Sequence, residues 1–344
     1  MRIALDGMGG DHAPAAVVEG AVQTLARDPD IEVVLVGRPD ALDPHLQRLG
    51  PPAGRISLHP ASQVAGMDEA PGHVLRHQRD ASIRVAFDLH KAGQAAAVVS
   101  AGNSGATMAV GMVVMGRLPE VDRPALASVF PGLSGPTVVL DVGANVDCSP
   151  LMLLQFGYMG AAYAERVLGM ANPAVGLMSI GEEGGKGNHA VKQAYEYLKN
   201  SALNFIGNVE GRDLFAGRAR VVVCDGFVGN VCLKLAEGMF KALTRVVKER
   251  VAVSLGGRLG AMLLKPTLKS VAKDLDYENY GGAPLLGING VALVCHGAST
   301  PRAIASAMVM AAESVRGRVA EHLAEGLANY RGRLLGEGGE GGAE

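Results

Sequence analysis

Short, unbroken apolar runs alternate with stretches of helical periodicity from the first residue, and this alternation constrains the fold more than any other feature. Ile3 to Leu5, Ile31 to Val36, Ile56 to Leu58 and Ala95 to Val99 read as strands. Between and after them, Pro14 to Ala26, Pro39 to Leu49, two segments within 72–92 and Ser104 to Met115 read as helices. Runs that are apolar at every position suit strands covered by helices on both faces, which is how parallel sheets are built. The expected class is therefore α/β. Leu126–Phe130 and Thr137–Leu140 flank a Pro-Gly and Ser-Gly turn cluster and read as an antiparallel hairpin on that sheet. A helix from Pro150 to Leu168, a strand at 174–180, a helix from His189 to Asn200 and strands at 204–206 and 219–224 follow. Residues 228–273 are helical in pattern, 285–286 and 291–294 are short and extended, and 302–330 reads as one helix. No linker divides the chain. One α/β domain over 1–334 is expected, with a helical protrusion at about 228–275 and a disordered, glycine- and glutamate-rich tail at 335–344.

Ligands of open α/β sheets bind outside the carboxyl ends of the strands. Here those ends share one character: small, polar and glycine-bearing. The first strand leads into Asp6-Gly7-Met8-Gly9-Gly10-Asp11-His12, the fourth into Ser100-Ala101-Gly102-Asn103-Ser104, and the hairpin into Asp141-Val142-Gly143-Ala144-Asn145. Later strands lead into Gly181-Glu182-Glu183-Gly184-Gly185-Lys186-Gly187-Asn188 and Asp225-Gly226-Phe227-Val228-Gly229-Asn230. The chain's 47 glycines in 344 residues are roughly twice the usual share of about 7%. Glycine lets backbone N–H groups approach an anion, and a following helix N-terminus adds positive potential. None of these loops has the GxGxxG spacing, and Lys186 is followed by glycine rather than Ser or Thr, so no dinucleotide or Walker-type nucleotide site is indicated. Lys186 reads either as a point charge for phosphate or an oxyanion, or as a solvated loop lysine. Asp141 and Asp225 end strands, where a carboxylate caps a helix or orients a ligand. His12 and His296 neighbour glycine loops and can exchange protons near neutral pH, or serve only as hydrogen-bonded structural residues.

Charge and cysteine usage narrow the partners. A net charge of −2, with aromatics at 4% and no tryptophan, disfavours a nucleic-acid binder. The four cysteines lack CxxC spacing, which points to a reduced, cytoplasmic protein without structural zinc; no long apolar leader or membrane-spanning run is present. One segment departs from the balance. Residues 234–273 carry nine basic side chains against two acidic ones, or +7, which leaves −9 elsewhere. Arg245, Lys248, Arg258 and Lys265 lie in it beside a greasy stretch that includes Leu259 and Leu263. Such an amphipathic basic element suits an anionic membrane or an acidic protein; equally, it can bury its apolar face in a dimer.

Taken in order, these loops resemble one family. Asp-x-Met-Gly-Gly-Asp at 6–11, Ser-Ala-Gly-Asn-Ser-Gly-Ala at 100–106, Asp-Val-Gly-Ala-Asn at 141–145 and Lys-Gly-Asn at 186–188 open the pattern. Gly-Asn-Val-Glu-Gly-Arg-Asp at 207–213, Cys-Asp-Gly-Phe-Val-Gly-Asn at 224–230 and Tyr-Gly-Gly-Ala-Pro-Leu-Leu-Gly at 280–287 complete it. The family is the bacterial phosphate acyltransferases, and the match runs from about residue 1 to 317. Gly7 and Ser104 stand where Ala and Thr are common, and the tail has no family pattern. The resemblance implies a Rossmann-like, mixed but mostly parallel sheet similar to the isocitrate and isopropylmalate dehydrogenase fold. It implies transfer of a long acyl chain from acyl carrier protein to orthophosphate, giving acyl phosphate for phospholipid synthesis, without cofactor or metal. It also implies a homodimer associated peripherally with the inner face of the membrane, whose product passes to a membrane glycerol-3-phosphate acyltransferase. On this reading Lys186 and His296 carry catalysis. Asp6, Gly9, Gly10, Asp11, Asn103, Ser104, Asp141, Asn145, Gly187, Asn188, Asp225 and Asn230 surround the substrates, and the basic protrusion meets carrier protein and membrane. A phosphotransacetylase-like enzyme using acyl-CoA, and a non-catalytic carrier-protein scaffold on the membrane, are the alternatives.

Overall fold

The structure is a computed structural model. It describes the chain apart from residues 53, 253–259, 261, 268–279 and 338–344, with backbone alone at 248, 252 and 331–337. In chain order the first half contributes β1 (Arg2–Asp6), α1 (Ala15–Arg27), β2 (Glu32–Gly37), α2 (Pro39–Leu49), β3 (Ile56–Pro60), α3 (Pro71–His77), α4 (Ser82–Lys91), β4 (Ala97–Ser100) and α5 (Ser104–Met115). Then come β5 (Ala125–Phe130), β6 (Thr137–Leu140), α6 (Pro150–Arg166), β7 (Val175–Met178), α7 (His189–Lys199), β8 (Phe205–Val209), α8 (Asp213–Ala216) and β9 (Val221–Val223). The long α9 (Gly226–Ala252), β10 (Ala283–Leu286), β11 (Ala292–Val294), α10 (Pro301–Arg316) and α11 (Val319–Glu337) complete the order.

The strands form one sheet in the order β3-β2-β1-β4-β11-β10-β5-β6-β9-β7-β8. β1 pairs in parallel with β2 and β4, and β4 with β11. The chain direction then reverses three times, at β11/β10, β10/β5 and β5/β6, after which β6, β9, β7 and β8 are parallel again. The expected hairpin is the last of these reversals, with Ala127 opposite Leu140 and Phe130 opposite Thr137. Three reversals leave the two parallel sets running in opposite directions.

The uniformly apolar strand runs are explained by cover on both faces. Ile3, Leu5, Val33 and Leu35 point to a core made with α1 and α10, while Ala4, Val34 and Val36 point to the other face, as the two-residue pleat requires. In the second half Val138, Leu140, Val221 and Val223 pack under α6 and α11, and Val139 and Val222 face the opposite side. That opposite face is one continuous core shared by both halves, under α3, α4, α5, α8 and the start of α9. Burying one Leu or Phe in such a layer contributes about 1.5–3 kcal/mol. The helix expected over 302–330 is two helices: α10 ends at Gly317, whose N–H donates to the Glu313 carbonyl at 2.8 Å, and Arg318 turns the chain with φ of 51°. α11 runs through Glu337, so residues 335–337 are helical; the rest of the expected tail lies outside the described residues.

Candidate functional site

The glycine loops fall into two clusters, one at the carboxyl ends of β1, β4 and β11 and one at those of β6, β7 and β9, and although the two parallel sets run in opposite directions both clusters reach one cavity. The first cluster follows β1, β4 and β11. Asp6 is buried at its base, accepting from the Ser100 hydroxyl at 2.7 Å and the Met8 N–H at 3.2 Å, and the Ser100 hydroxyl accepts from the Gly102 N–H at 3.0 Å. Burial pushes the Asp6 carboxyl above its ordinary range, against these hydrogen bonds. A Cβ on Gly9 would stand 2.6 Å from the Gly102 nitrogen, so the two loops touch backbone to backbone only because Gly9 has none. Asp11 ties the third loop in, its N–H donating to the Gly297 carbonyl at 2.8 Å. Asn103 caps α5, its Oδ1 accepting from the Ala106 N–H at 3.0 Å, while its amide donates toward the carbonyls of Gly66, Met67 and Glu69 at 2.8–3.0 Å. Asp6 and Asn103 thus build the cluster from behind.

The second cluster follows β6, β7 and β9 and has its own buried acid. Asp141 accepts through Oδ1 from the N–H groups of Leu126, Gly143 and Ala144, and through Oδ2 from both the N–H and the side-chain amide of Asn145. Burial again raises the carboxyl's pKa. Asp225 caps α9, accepting from the Val228 N–H at 2.8 Å, and Asn188 caps α7, accepting from the Val191 N–H at 2.9 Å. Asx caps of this kind satisfy the first free N–H groups of a helix. The 181–188 loop is pinned by Glu182, which pairs with Arg212 at 3.2 Å and Arg218 at 3.1 Å. Lys186 and Asn188 are exposed, and Lys186 has no ion-pair partner among the described residues. Beneath the loop, Asn208 gives its amide to the Glu183 carbonyl at 2.8 Å and leaves its buried Oδ1 without a partner.

A cavity of about 440 Å³ joins the clusters, within the range of roughly 300–1,000 Å³ usual for small-molecule sites. Its floor is β5 and β10, through Leu126, Ser128 and Ala283. Asp11, Gly102, Ser104 and His296 border it from the first cluster, and Val142 and Asn230 from the second. Leu233, Ala236 and Phe240 of α9, with Phe215 of α8, give it apolar surface, and Lys234, Glu237 and Lys241 of α9 border the same side. Four of the polar residues singled out from sequence therefore converge: Asp11, Ser104, Asn230 and His296. Lys186, Gly187, Asn188, Asp6, Gly9, Gly10, Asn103, Asp141, Asn145 and Asp225 do not line it. The aromatic members went unnoticed in sequence because an apolar residue on a helix or strand reads as core. The nearest signal in the sequence is the helical spacing of Phe240 with Cys232, Leu235, Ala236, Met239 and Leu243.

His296 accepts the Ala298 N–H at Nδ1, 3.1 Å, so its neutral ring carries the proton on Nε2, which has no partner among the described residues. The thiols are poor nucleophiles as they stand. Burial first, and then the Asp141 charge, push Cys148 up to about 12; burial alone takes Cys295, on the cavity wall, to about 12.

Along α9, Phe227, Val231, Leu235, Met239 and Leu243 form an exposed apolar stripe. Arg245 is exposed and pairs with Glu249 at 2.7 Å. Within the helical residues 262–267, Met262, Leu263 and Leu264 are exposed, as is Lys265. The side chain of Lys248, and Arg258 and Leu259 altogether, lie outside the described residues. Among the described residues no helix is long and apolar enough to cross a membrane.

The family described as "Fatty acid synthesis protein" matches residues 1–322. A phosphate acyltransferase of Heliobacterium modesticaldum is 51% identical over 317 residues, covering 92% of this chain and 94% of its own. One from Geobacter sulfurreducens is 51% identical over 325 residues, 94% of each chain. Among solved structures, a phosphotransacetylase from Streptococcus pyogenes superposes with a TM-score of 0.64 at 18% identity, over 92% of this chain and 94% of that one. A 4-hydroxythreonine-4-phosphate dehydrogenase from Klebsiella pneumoniae does so at 0.50 and 15%, over 94% and 98%. These two share the fold, the mostly parallel sheet with helices on both faces that the loop motifs implied. With identity near one half along almost its whole length, the chain belongs to the phosphate acyltransferases, an enzyme family of fatty acid synthesis proteins.

Proposed function

We propose that this enzyme transfers a long acyl chain from the thioester of acyl carrier protein to orthophosphate, releasing acyl phosphate and free carrier-protein thiol for phospholipid synthesis. The observation that carries the reading is a cavity that sets polar Asp11, Ser104 and His296 across from the apolar Phe215, Leu233, Ala236 and Phe240, with the charged Lys234, Glu237 and Lys241 of α9 at the same side. A substrate with a reactive carbonyl on an aliphatic chain needs both sides. A phosphate oxygen attacks the thioester carbonyl, the tetrahedral intermediate collapses, the C–S bond breaks and the sulfur takes a proton. The nucleophile arrives as an anion, so the high thiol pKa values are no obstacle. Catalysis then rests on positioning and on donors aimed at the developing oxyanion, each worth roughly 10²–10³ in rate. Loop N–H groups, with Asn230, supply such donors, His296 gives the Nε2 proton to the leaving sulfur, and Lys186 is the cation that draws phosphate to the second cluster.

The carrier protein is acidic in this reading and meets Lys234 and Lys241, which border the cavity, and Arg245 farther along α9. The exposed stripe of α9 pairs with a second copy, and the apolar residues around Leu259 and Leu263 touch the inner face of the membrane. There the product is handed to a membrane glycerol-3-phosphate acyltransferase. The deciding experiment follows free thiol from palmitoyl–carrier protein with and without phosphate, with palmitoyl-CoA alongside. Phosphate-dependent release from the carrier protein is expected. Release from CoA alone selects the phosphotransacetylase-like alternative, and no release from either leaves only the scaffold. Lys186→Ala should raise the phosphate concentration needed for half-maximal turnover, and near-normal kinetics at limiting phosphate remove that role. Vesicle binding unchanged in a Leu259→Glu/Leu263→Glu double variant removes the membrane contact.

A further inference from the structure

The apolar side of the cavity ends in three rings that lean on one another. Phe130, at the end of β5, is 3% exposed, and its ring centroid lies 5.9 Å from that of Phe215 at an angle of 58°. Phe215 in turn meets Phe240 edge to face, 6.3 Å and 70°. All three border the cavity. They are not held alike. Phe130 is fixed in the sheet opposite Thr137, and the Phe215 backbone accepts from the Leu133 N–H at 2.9 Å. Phe240 belongs to none of the three buried core clusters; it is half-buried and rests on Phe215 alone among the rings.

From this we infer that Phe240, backed by Phe215, is the far wall of the acyl site and determines the longest chain the enzyme transfers efficiently. The inference rests on the acyl-transfer reading above. With the thioester carbonyl beside Ser104 and His296 and the floor closed by buried β5 residues, the aliphatic chain runs toward α8 and α9, past Lys234, Glu237 and Lys241, to the aromatic surface of Phe215 and Phe240. Its terminal methylenes then meet the rings. Chains shorter than the wall leave apolar surface unfilled, and longer ones must displace a ring or return methylenes to water. Each methylene gained or lost from such contact changes binding about fourfold.

The test is a chain-length profile. Octanoyl, lauroyl, palmitoyl and stearoyl thioesters of carrier protein are compared by phosphate-dependent kcat/KM for the unaltered enzyme, Phe240→Ala and Phe240→Trp. Alanine is the best helix former and tryptophan matches phenylalanine, so both variants keep α9. Phe240→Ala should raise the stearoyl-to-lauroyl ratio roughly tenfold, and Phe240→Trp should lower it by a similar factor. A merely structural role for the ring would lower every chain alike. Unchanged profiles, or shifts in the same direction in both variants, overturn the inference while thiol release by the unaltered enzyme leaves the proposed function standing. No phosphate-dependent release by the unaltered enzyme with any chain overturns both.

Discussion

Two glycines of α9 invite the same substitution and should answer it with opposite signs. At Gly229, in the first turn, a Cβ would stand 1.9 Å from the Asp141 carbonyl oxygen, 2.9 Å from its carbon and 3.0 Å from the Cys224 sulfur. The oxygen and carbon are backbone at the end of β6 and cannot rotate aside. At Gly238, on the same helix, nothing lies within 4 Å of the added atom. Alanine is better than glycine in a helix by about 1 kcal/mol, so Gly238→Ala should stabilise by up to that amount. Gly229→Ala gains the same propensity but must lift the start of α9 off the Asp141 loop, and overpacking of this kind costs about 1–3 kcal/mol or more. The shared propensity gain cancels, so the two variants should differ by about 1–3 kcal/mol, up to about 1 M in urea midpoint at a slope of about 3 kcal/mol/M. Urea titration followed by circular dichroism reads this directly. Because Gly226 also donates to the Asn145 carbonyl at 2.7 Å, the same lift disturbs the second loop cluster, and Gly229→Ala should lose activity while Gly238→Ala keeps it. Equal midpoints would refute the argument that α9 docks on the Asp141 backbone.

Other predictions follow from the electrostatics. Cys148, with its thiol held near 12, should react with iodoacetamide at pH 8 roughly a thousandfold more slowly than free cysteine and about tenfold faster per added pH unit; a flat profile above pH 8 would contradict the burial argument. Arg316 donates to Asp28 at 2.8 Å and holds that carboxyl below its ordinary 3.8. A lowered folded-state pKa stabilises the fold above the unfolded value and loses that contribution as pH falls through the lowered one. Asp28→Asn should thus cost about 1–2 kcal/mol at pH 7, with the gap to the parent protein narrowing as pH falls below 3.8; a gap that does not change with pH would show the cost to be packing. His296→Gln should slow thiol release about 10²–10⁴-fold from carrier-protein thioesters, yet much less from thioesters with an already acidic thiol leaving group; equal slowing would assign the ring a positioning role only.

Much of this architecture was legible in the residues, and the misses have physical reasons. Strand and helix positions followed from apolar runs because both sheet faces are covered, and the 126–140 hairpin announced itself by its turn residues. The relative direction of the two parallel sets was not legible, since β10 and β11 are short runs remote in sequence from the strands they join. Asp6, Asp141, Asn103 and Asn188 have the side chains of ligand-binding residues, but the same oxygens and amides serve loop N–H groups and helix caps, and spacing does not distinguish the two uses. Phe215 and Phe240 carried no polar chemistry to mark them. Asp11, Ser104, Asn230 and His296 were found because polar residues at loop and helix starts are the ones free to face a cavity.

The pairing of β4 with β11 has a consequence for how the protein is made. Val98 and Val99, finished early in synthesis, wait for Ala292 and Leu293 before their strand has its second neighbour. α1 likewise waits for α10, to which Arg27 donates at Ser306. The amino-terminal half is therefore not a unit that a ribosome can deliver folded. Its apolar strand β4 stays an open edge for nearly two hundred residues of translation, a span over which edge strands invite pairing with the wrong chain. Late strands that stitch early ones make native contacts long-range and folding slow. A stop before residue 292 would spoil both halves at once, not merely shorten the second.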